Sequence, residues 1–197
     1  MTEQTASIAA STIFNDRHTA YSFTSEPVTD EQLHQVYELA KFTPTALNSQ
    51  PLRVTFVRTA AAKERLLPLL SEINRAKSDS APVVAILAAD TDFHEHLPVV
   101  SPQATGAKER FAANDERRAV MALNNAWLQA GGFILAVRAV GLDAGPMGGI
   151  NAAGIDQEFF SGTPLRTIMV VNIGHVAEGG VFPRNPRLGF DEAVTLA

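Results

Sequence analysis

Two short polar segments near opposite ends of the chain carry residue types that bind phosphate. Arg17, His18 and Thr19 stand together near the start, and Arg184 and Arg187 stand three residues apart near the end. Arginine presents a planar fork of N–H donors that matches two phosphate oxygens, and a threonine hydroxyl adds another donor. Each segment alone has low specificity, because a solvated surface arginine is far commoner than a phosphate clamp.

A loop bounded by prolines, residues 44–51, carries amide side chains suited to the edge of a heterocycle. Asn48 and Gln50 flank Ser49 within it. A side-chain amide both donates and accepts hydrogen bonds, which is what a ring with alternating donors and acceptors requires. Ordinary turn chemistry explains the same residues equally well.

One alternating pattern resembles a set of metal ligands. It consists of Asp90, Asp92, His94 and His96, which share one face if the segment is extended. A metal-dependent hydrolase using His94 and His96 is therefore an alternative function, although a polar loop after a strand explains the pattern more simply. The chain has no cysteine and none of the usual dinucleotide, P-loop, serine-hydrolase or zinc-protease motifs.

Composition narrows the functional class. The 197 residues are 46% apolar and 19% charged, which is typical of a globular protein. The net charge of −5 gives no general positive potential, which argues against nucleic acid as a partner. The first 28 residues contain no apolar core after a basic start, so no secretory signal is expected. The apolar run 119–140 is interrupted by polar residues, which makes it a poor membrane span. We expect a soluble, cytoplasmic protein with no membrane partner.

The elements that must position these residues are mixed helices and strands. Thr29 and Gln32 form a capping-box pattern that predicts a helix ending near Phe42. Further helices are predicted over 60–72, with Pro68 as a kink or early stop, and over 155–160, and strands over 52–58, 83–89 and 167–173. Periodicity is lost over 90–113, which we interpret as a long excursion able to act as a lid. Regular βαβ alternation is absent, so an α+β sandwich is expected.

The longest predicted helix covers residues 115–140. Its apolar positions follow a 3-4-3-4-3 spacing: Val120, Leu123, Trp127, Ala130, Ile134 and Val137. Apolar residues also occupy other faces, and Gly131 and Gly132 lie in its middle, where each costs about 1 kcal/mol relative to alanine. An internal core helix and a subunit interface both explain this pattern.

Taken together and in order, these segments resemble the FMN-dependent nitroreductase family over nearly the whole chain. Residues 17–19, followed by Phe23 and 26–28, resemble the family's opening phosphate motif, and residues 44–51 resemble its Pro-Ser-Ser-x-Asn-Ser-Gln-Pro loop. Residues 141–149 resemble the segment that passes over the flavin, and residues 182–187 resemble the closing basic motif. Within the family the chain most resembles the malonic semialdehyde reductases of pyrimidine utilisation, and the residues that carry this likeness are 81–83, 142–147, 159–160 and 182–188.

The resemblance implies a single FMN-binding domain over residues 1–197. Its fold would be an α+β, nitroreductase-like α/β/α sandwich with a small mixed, mainly antiparallel sheet. It also implies a homodimer with the long helix at the interface and two flavins bound there. The cofactor-binding residues would be Arg17, His18, Thr19, Asn74, Lys77, Pro146, Met147, Gly148, Gly149, Arg184 and Arg187, with Pro44, Thr45, Ala46, Asn48 and, less directly, Gln50 from the partner subunit.

The implied activity is an FMN-dependent NAD(P)H oxidoreductase working by ping-pong hydride transfer through flavin N5. NADH or NADPH would be the donor, and a small aldehyde, nitro compound or quinone the acceptor. Lys77 would stabilise negative charge on the reduced ring, and a backbone N–H at Gly148 or Gly149 would bond N5. Two residues depart from the family pattern: Tyr21 stands where many members have a cation, and Leu52 replaces a frequent tryptophan. A flavin-binding or flavin-degrading relative without turnover remains an alternative.

Overall fold

The computed structural model describes residues 10–197, in which helices cover both faces of one sheet. The α-helices are α1 (Asp30–Ala40), α2 (Ala60–Leu66), α3 (Glu72–Ser80), α4 (Leu97–Val100), α5 (Ala107–Ala112), α6 (Asp115–Ala139), α7 (Ala152–Phe159) and α8 (Phe190–Ala193). The strands are β1 (Leu52–Val57), β2 (Val83–Asp90), β3 (Asp143–Met147) and β4 (Leu165–Gly174). Short 3-10 turns at Ala46–Asn48, Leu67–Leu69 and Phe93–His96 and a π-helical turn at Ser11–Asn15 complete the described elements.

The described sheet has four strands in the order β1-β2-β4-β3, and every neighbouring pair is antiparallel. The expectation of a mixed sheet is therefore replaced, within residues 10–197, by a purely antiparallel one. Strand β1 lies at one edge and β3 at the other. The order places β3, which ends at Met147, beside the long strand β4.

Strand β2 is buried along its whole length and separates two apolar layers. Alternate residues of a strand point to opposite faces, so Ala85 and Leu87 contact the cluster around α1 and α6, while Val84 and Ile86 contact the cluster around α2 and α7. A continuous apolar run is the sequence signature of a strand covered on both faces. The result is the predicted α/β/α sandwich.

Helix α6 presents two different apolar stripes. The stripe that faces the core contains Ala122, Ala126, Ala130, Phe133 and Val137, together with the buried amides Asn125 and Gln129. Part of the predicted 3-4 seam points the other way: Val120, Leu123 and Trp127 are each about half exposed. Helix α6 is long and apolar enough to span a membrane by composition, but it packs against α1, β1 and β2 as a core helix does.

The structure confirms some local predictions and corrects others. The helix predicted over 60–72 takes the early stop at Pro68: it ends at Leu66, and a separate helix α3 follows that the sequence did not indicate. Residues 90–113 are not irregular: they form the Phe93–His96 turn, α4 and α5, with Phe93, Leu97 and Phe111 in the core. That this segment moves as a lid stays a prediction. Residues 143–147, for which the sequence predicted no strand, form β3.

Candidate functional site

The two phosphate-type segments come together in one polar cavity of about 130 Å³. Its lining consists of Arg17, His18, Thr19, Tyr21, Phe182, Pro183, Arg184, Asn185 and Arg187. Three of these residues are arginines and none is acidic, so the cavity concentrates positive charge. The structure thus joins residues that are more than 160 positions apart in the sequence.

The cavity is assembled by backbone pairing between residues 20–24 and the segment after β4. The Tyr21 N–H donates to the Gly180 carbonyl at 2.8 Å, and the Ala177 N–H donates to the Ser22 carbonyl at 3.1 Å. The Ala20 N–H donates to Ala144 of β3 at 3.1 Å. A methyl group at Gly145 would lie 2.6 Å from the Ala20 carbonyl oxygen, so only glycine permits this approach.

The arginines of the cavity are not equivalent. Arg184 donates from Nη2 to the backbone carbonyls of Asn15 and Arg17, which fixes the opening segment against the tail. Arg187 donates from Nη1 to the carbonyls of Asn185 and Pro186, within its own turn. By contrast, Arg17 has a buried Nε that finds no acceptor among residues 10–197. A buried donor without an acceptor carries a desolvation cost, which a bound anion would offset.

Helix α3 is joined to the glycine-rich segment after β3. The Asn74 side-chain amide donates to the Gly149 carbonyl at 3.0 Å, and the Ser71 N–H donates to the same oxygen at 3.0 Å. A methyl group at Gly149 would lie 2.8 Å from Asn74 Nδ2, whereas one at Gly148 would meet no atom of the described residues 10–197 within 4 Å. Gly148 therefore faces open space beside a rigid support. The side chain of Met147 is buried in the core, so only its backbone belongs to this edge.

Lys77, on the same helix, contacts one of the residues that line the arginine-lined cavity. Its ammonium lies 4.3 Å from the centre of the Tyr21 ring, which lines the cavity. The end of α3 is held by Lys63, which donates to the carbonyls of Asp79 and Ala81. Burial lowers the pKa of Lys63, and the Asp79 carboxylate partly opposes this effect.

The loop at 44–51 lies against α6 and α4 instead. The Ala46 N–H donates to Asn125 Oδ1 at 2.8 Å, and Asn48 Nδ2 donates to the Val100 carbonyl at 2.7 Å. Leu47, Asn48 and Gln50 have φ values of 56°, 51° and 43°, a left-handed conformation that is strained for residues other than glycine. Such strain concentrates at functional sites, where the surrounding contacts maintain it.

The predicted site residues therefore fall into two groups within one chain. The first contains the arginine-lined cavity, Lys77, Asn74 and the 146–149 segment. The second is the loop, whose residues Pro44, Ala46 and Asn48 are exposed and do not line that cavity. Sequence reasoning missed Asn125, which accepts from the Ala46 N–H of the loop, and Gln129, which accepts from the Leu52 N–H at the start of β1. Two amides four residues apart in an apolar helix are the signal that could have identified them.

The described residues do not form the metal site that a hydrolase using His94 and His96 would require. Asp90 forms a 2.6 Å ion pair with Arg53, and His96 Nε2 lies 3.9 Å from the same carboxylate. His94 is buried, with its Nε2 3.5 Å from Glu95. Across residues 10–197, no group of three or more histidine, aspartate or glutamate side chains is arranged to hold a metal ion.

Comparison with known proteins identifies the family. The model of the Nitroreductase family matches residues 15–175, which is most of the chain. The chain belongs to the nitroreductase family. A relative from Leptothrix cholodnii, provisionally named an NADH dehydrogenase/NAD(P)H nitroreductase, is 50% identical over 196 residues and covers 100% of both chains.

Solved nitroreductase-type structures share the fold at low sequence identity. A provisionally named nitroreductase from Exiguobacterium sibiricum, in complex with FMN, superposes with a TM-score of 0.84 at 20% identity, covering 96% of this chain and 98% of that one. An enone reductase of gut-bacterial fatty acid saturation, CLA-ER, superposes with a TM-score of 0.80 at 19% identity, covering 94% and 96%. At such identity these likenesses establish the fold and leave the substrate of this nitroreductase to other arguments.

Proposed function

We propose that this nitroreductase binds FMN in the arginine-lined cavity and works as an NAD(P)H oxidoreductase. The observation that carries the proposal is the buried Nε of Arg17, which has no acceptor within residues 10–197 and lies in a cavity lined by three arginines and no carboxylate of that range. This donor set suits a phosphate group. The relative named NAD(P)H nitroreductase and the FMN-bound structural neighbour support the choice of donor and cofactor.

The phosphate of FMN would be held by the segment 17–19 and by Arg187, with Arg184 fixing the backbone that presents them. Arg184 Nη2 already donates to two backbone carbonyls, so Arg184 would contribute mainly by positioning the segment that binds the phosphate. Thr19 contributes a hydroxyl donor, and His18 keeps its Nδ1 3.2 Å from the Phe182 carbonyl. His18 is therefore expected to act largely through its backbone.

The isoalloxazine ring would lie along residues 146–149, with Asn74 and Lys77 at its edge. When bound, FMN supplies hydride acceptance from NAD(P)H and hydride donation to the second substrate. Lys77 would hold a positive charge close to the ring edge where negative charge develops on reduction, and a fixed cation there would stabilise the reduced state. The exposed backbone at Gly148 and Gly149 offers N–H donors on a segment that Asn74 and Ser71 hold in place.

We further propose that the loop at 44–51 completes the site in a partner subunit. Two features of the single chain support a homodimer: the loop does not line the arginine-lined cavity, and Val120, Leu123, Trp127 and Leu128 leave an apolar face of α6 exposed. A large exposed apolar patch marks an interaction surface. Sedimentation of the flavin-saturated protein should give twice the chain mass of 21.1 kDa, and a saturated species at the chain mass would contradict the dimer.

The acceptor is proposed to be a small aldehyde resembling malonic semialdehyde, with nitro compounds and quinones as alternatives. Sequence resemblance at residues 142–147 and 182–188 supports the aldehyde. Steady-state oxidation of NADH and NADPH with each acceptor class would test it, and turnover of nitro compounds or quinones alone would contradict the aldehyde. We likewise propose that the protein is cytoplasmic.

The cofactor site is tested by titrating the apoprotein with FMN. Loss of a charge-assisted hydrogen bond costs roughly 1.5–3 kcal/mol, so Arg17→Ala should weaken binding about tenfold to 150-fold. Arg166→Ala is the matched control, because Arg166 is an exposed arginine on β4 outside the cavity. Equal affinities for the two variants would remove Arg17 from the site.

Reductase turnover is tested separately from binding. Anaerobic NADH or NADPH should bleach the flavin absorbance of the holoprotein, and air or an acceptor should restore it. Absorbance that does not respond would indicate a flavin-binding protein without turnover. Absorbance that is lost permanently would indicate degradation of the flavin.

A further inference from the structure

We propose that Tyr21 is a positioning residue whose ring holds the Lys77 ammonium beside the arginine-lined cavity, where Lys77 favours the reduced flavin. The proposal deepens the proposed function and rests on it. Lys77 is the charged group in this pair, and Tyr21 acts through it.

The contact between the two side chains is a cation–π interaction. Lys77 Nζ lies 4.3 Å from the Tyr21 ring centre, well within the range in which the electron-rich ring face attracts a cation. Among residues 10–197, no carboxylate lies within 4.0 Å of this ammonium. The Tyr21 ring is therefore the described partner that fixes the position of the charge.

The Tyr21 ring is itself held in place. Its backbone N–H donates to the Gly180 carbonyl at 2.8 Å, and its ring packs edge-on against Phe182, with centroids 4.6 Å apart and planes at 69°. Phe182 belongs to the tail that closes the arginine-lined cavity. The tail that closes the cavity therefore also orients the Tyr21 ring, and this ring in turn orients Lys77.

A lysine needs such a partner if its charge is to act at one place. Its four-carbon stem has high rotamer entropy, so an unpaired lysine distributes its ammonium over many positions. A partly exposed cation–π contact biases that distribution by roughly two- to fivefold. Averaged over its positions, the charge of Lys77 would stabilise the reduced flavin less if the ring were absent.

The experiment compares flavin affinity and two-electron reduction potential in the holoprotein. Dissociation of oxidised FMN is measured by fluorescence, and the potential is measured by equilibration with a reference dye. Tyr21→Leu should lower the preference for reduced over oxidised flavin by about two- to fivefold, or about 10–20 mV for a two-electron couple. Tyr21→Phe keeps the ring and should leave the potential unchanged.

A double-variant cycle decides whether Tyr21 acts through Lys77. Lys77→Met should lower the potential by more than Tyr21→Leu does, and Tyr21→Leu should add no further shift in the Lys77→Met background. Phe182→Leu gives a second route if Tyr21→Leu does not fold, since Phe182 is 64% exposed. Phe182→Leu removes the ring that packs against Tyr21, so the Tyr21 ring is less restrained and the reduction potential should fall, as it should in Tyr21→Leu.

Three results would overturn the inference. The first is an unchanged potential in Tyr21→Leu while Lys77→Met lowers it. The second is a shift of the potential in Tyr21→Leu that persists in the Lys77→Met background. The third is an equal loss of affinity for oxidised and reduced flavin in Lys77→Met, which would place Lys77 at the phosphate. An unchanged potential in Lys77→Met would overturn the role of Lys77 as well, whereas the Arg17 titration reports on the cofactor site independently.

Discussion

The side-chain amide of Asn74 donates a 3.0 Å hydrogen bond to the carbonyl oxygen of Gly149, and this bond joins α3 to the segment that follows β3. The Gly149 oxygen also accepts from the Ser71 N–H at 3.0 Å. The polar face of α3 therefore shapes the edge where the flavin ring is proposed to lie.

Replacing Asn74 should affect the cofactor more than the fold. A typical hydrogen bond contributes about 0.5–1.5 kcal/mol, so Asn74→Ala should lower the free energy of unfolding by roughly that amount. FMN affinity should fall by about tenfold, equivalent to roughly 1.4 kcal/mol, because a ring contact and the support of Gly149 are both lost. Urea unfolding and fluorescence titration measure the two quantities.

The control for that variant is Asn151→Ala. Asn151 caps α7 by accepting from the Gly154 N–H at 3.0 Å, and loss of such a cap costs about 0.5–2 kcal/mol. Its stability loss should match that of Asn74→Ala while FMN affinity stays unchanged. Parallel losses of affinity in the two variants would show that Asn74 acts only through stability.

The two neighbouring glycines of the segment should respond in opposite ways. A side chain at Gly148 meets open space, so Gly148→Val should change the free energy of unfolding by less than about 0.5 kcal/mol while lowering FMN affinity. Gly149→Ala would place a methyl group 2.8 Å from Asn74 Nδ2 and should lower stability by about 1–3 kcal/mol. Thermal unfolding of the apoproteins, followed by FMN titration, separates the effects. Unaltered FMN binding by Gly148→Val would place the ring elsewhere.

The sequence predicted the elements whose apolar pattern is strong. Strand β2 is a continuous apolar run, and α1 begins at the Thr29–Gln32 capping box, with both reciprocal hydrogen bonds formed. Helix α3 was missed because Asn74 and Ser78 are its buried residues, so it has no apolar stripe for periodicity to find. Residues 90–113 were misread for a related reason: their helices are too short for a period to emerge, although Phe93 and Phe111 anchor them in the core.

The candidate site could be predicted in part only. Residue type and family resemblance together indicated Arg17 and Arg187, and the structure shows them lining one cavity. Tyr21 departs from the family pattern, but its contact with Lys77 depends on how α3 and the opening segment meet in the fold. Such a contact joins residues 56 positions apart and leaves no local pattern in the sequence.

The adjacent glycines in the middle of α6 provide a further prediction. A methyl group at Gly132 would lie 1.9 Å from Thr43 Oγ1, whereas one at Gly131 meets no atom of residues 10–197 within 4 Å. Gly131→Ala should therefore raise the free energy of unfolding of the chain by about 0.5–1 kcal/mol through helix propensity. Gly132→Ala should lower it by about 1–3 kcal/mol because Thr43 must move. Equal Tm shifts in thermal unfolding would contradict the close approach of Thr43.

The strained loop at 44–51 should depend on the buried amide of Asn125. Its Oδ1 accepts from the Ala46 N–H at 2.8 Å, and its Nδ2 donates to the Met121 carbonyl at 2.9 Å, which orients the group. Asn125→Ala leaves the Ala46 N–H without this acceptor, at a cost of about 1–3 kcal/mol. With Leu47 and Asn48 already in left-handed backbone, the loop should open, and proteolysis should cleave it faster.

Asn124→Ala is the matched control for Asn125→Ala, because Asn124 is the exposed neighbour on the same helix. It should leave both urea unfolding and the cleavage rate of the loop unchanged. If the loop also completes a partner's flavin site, Asn125→Ala should weaken FMN binding while leaving the arginines of the cavity intact. Cleavage at the same rate in the two variants would show that α6 supports the loop through its apolar contacts and that the amide is dispensable.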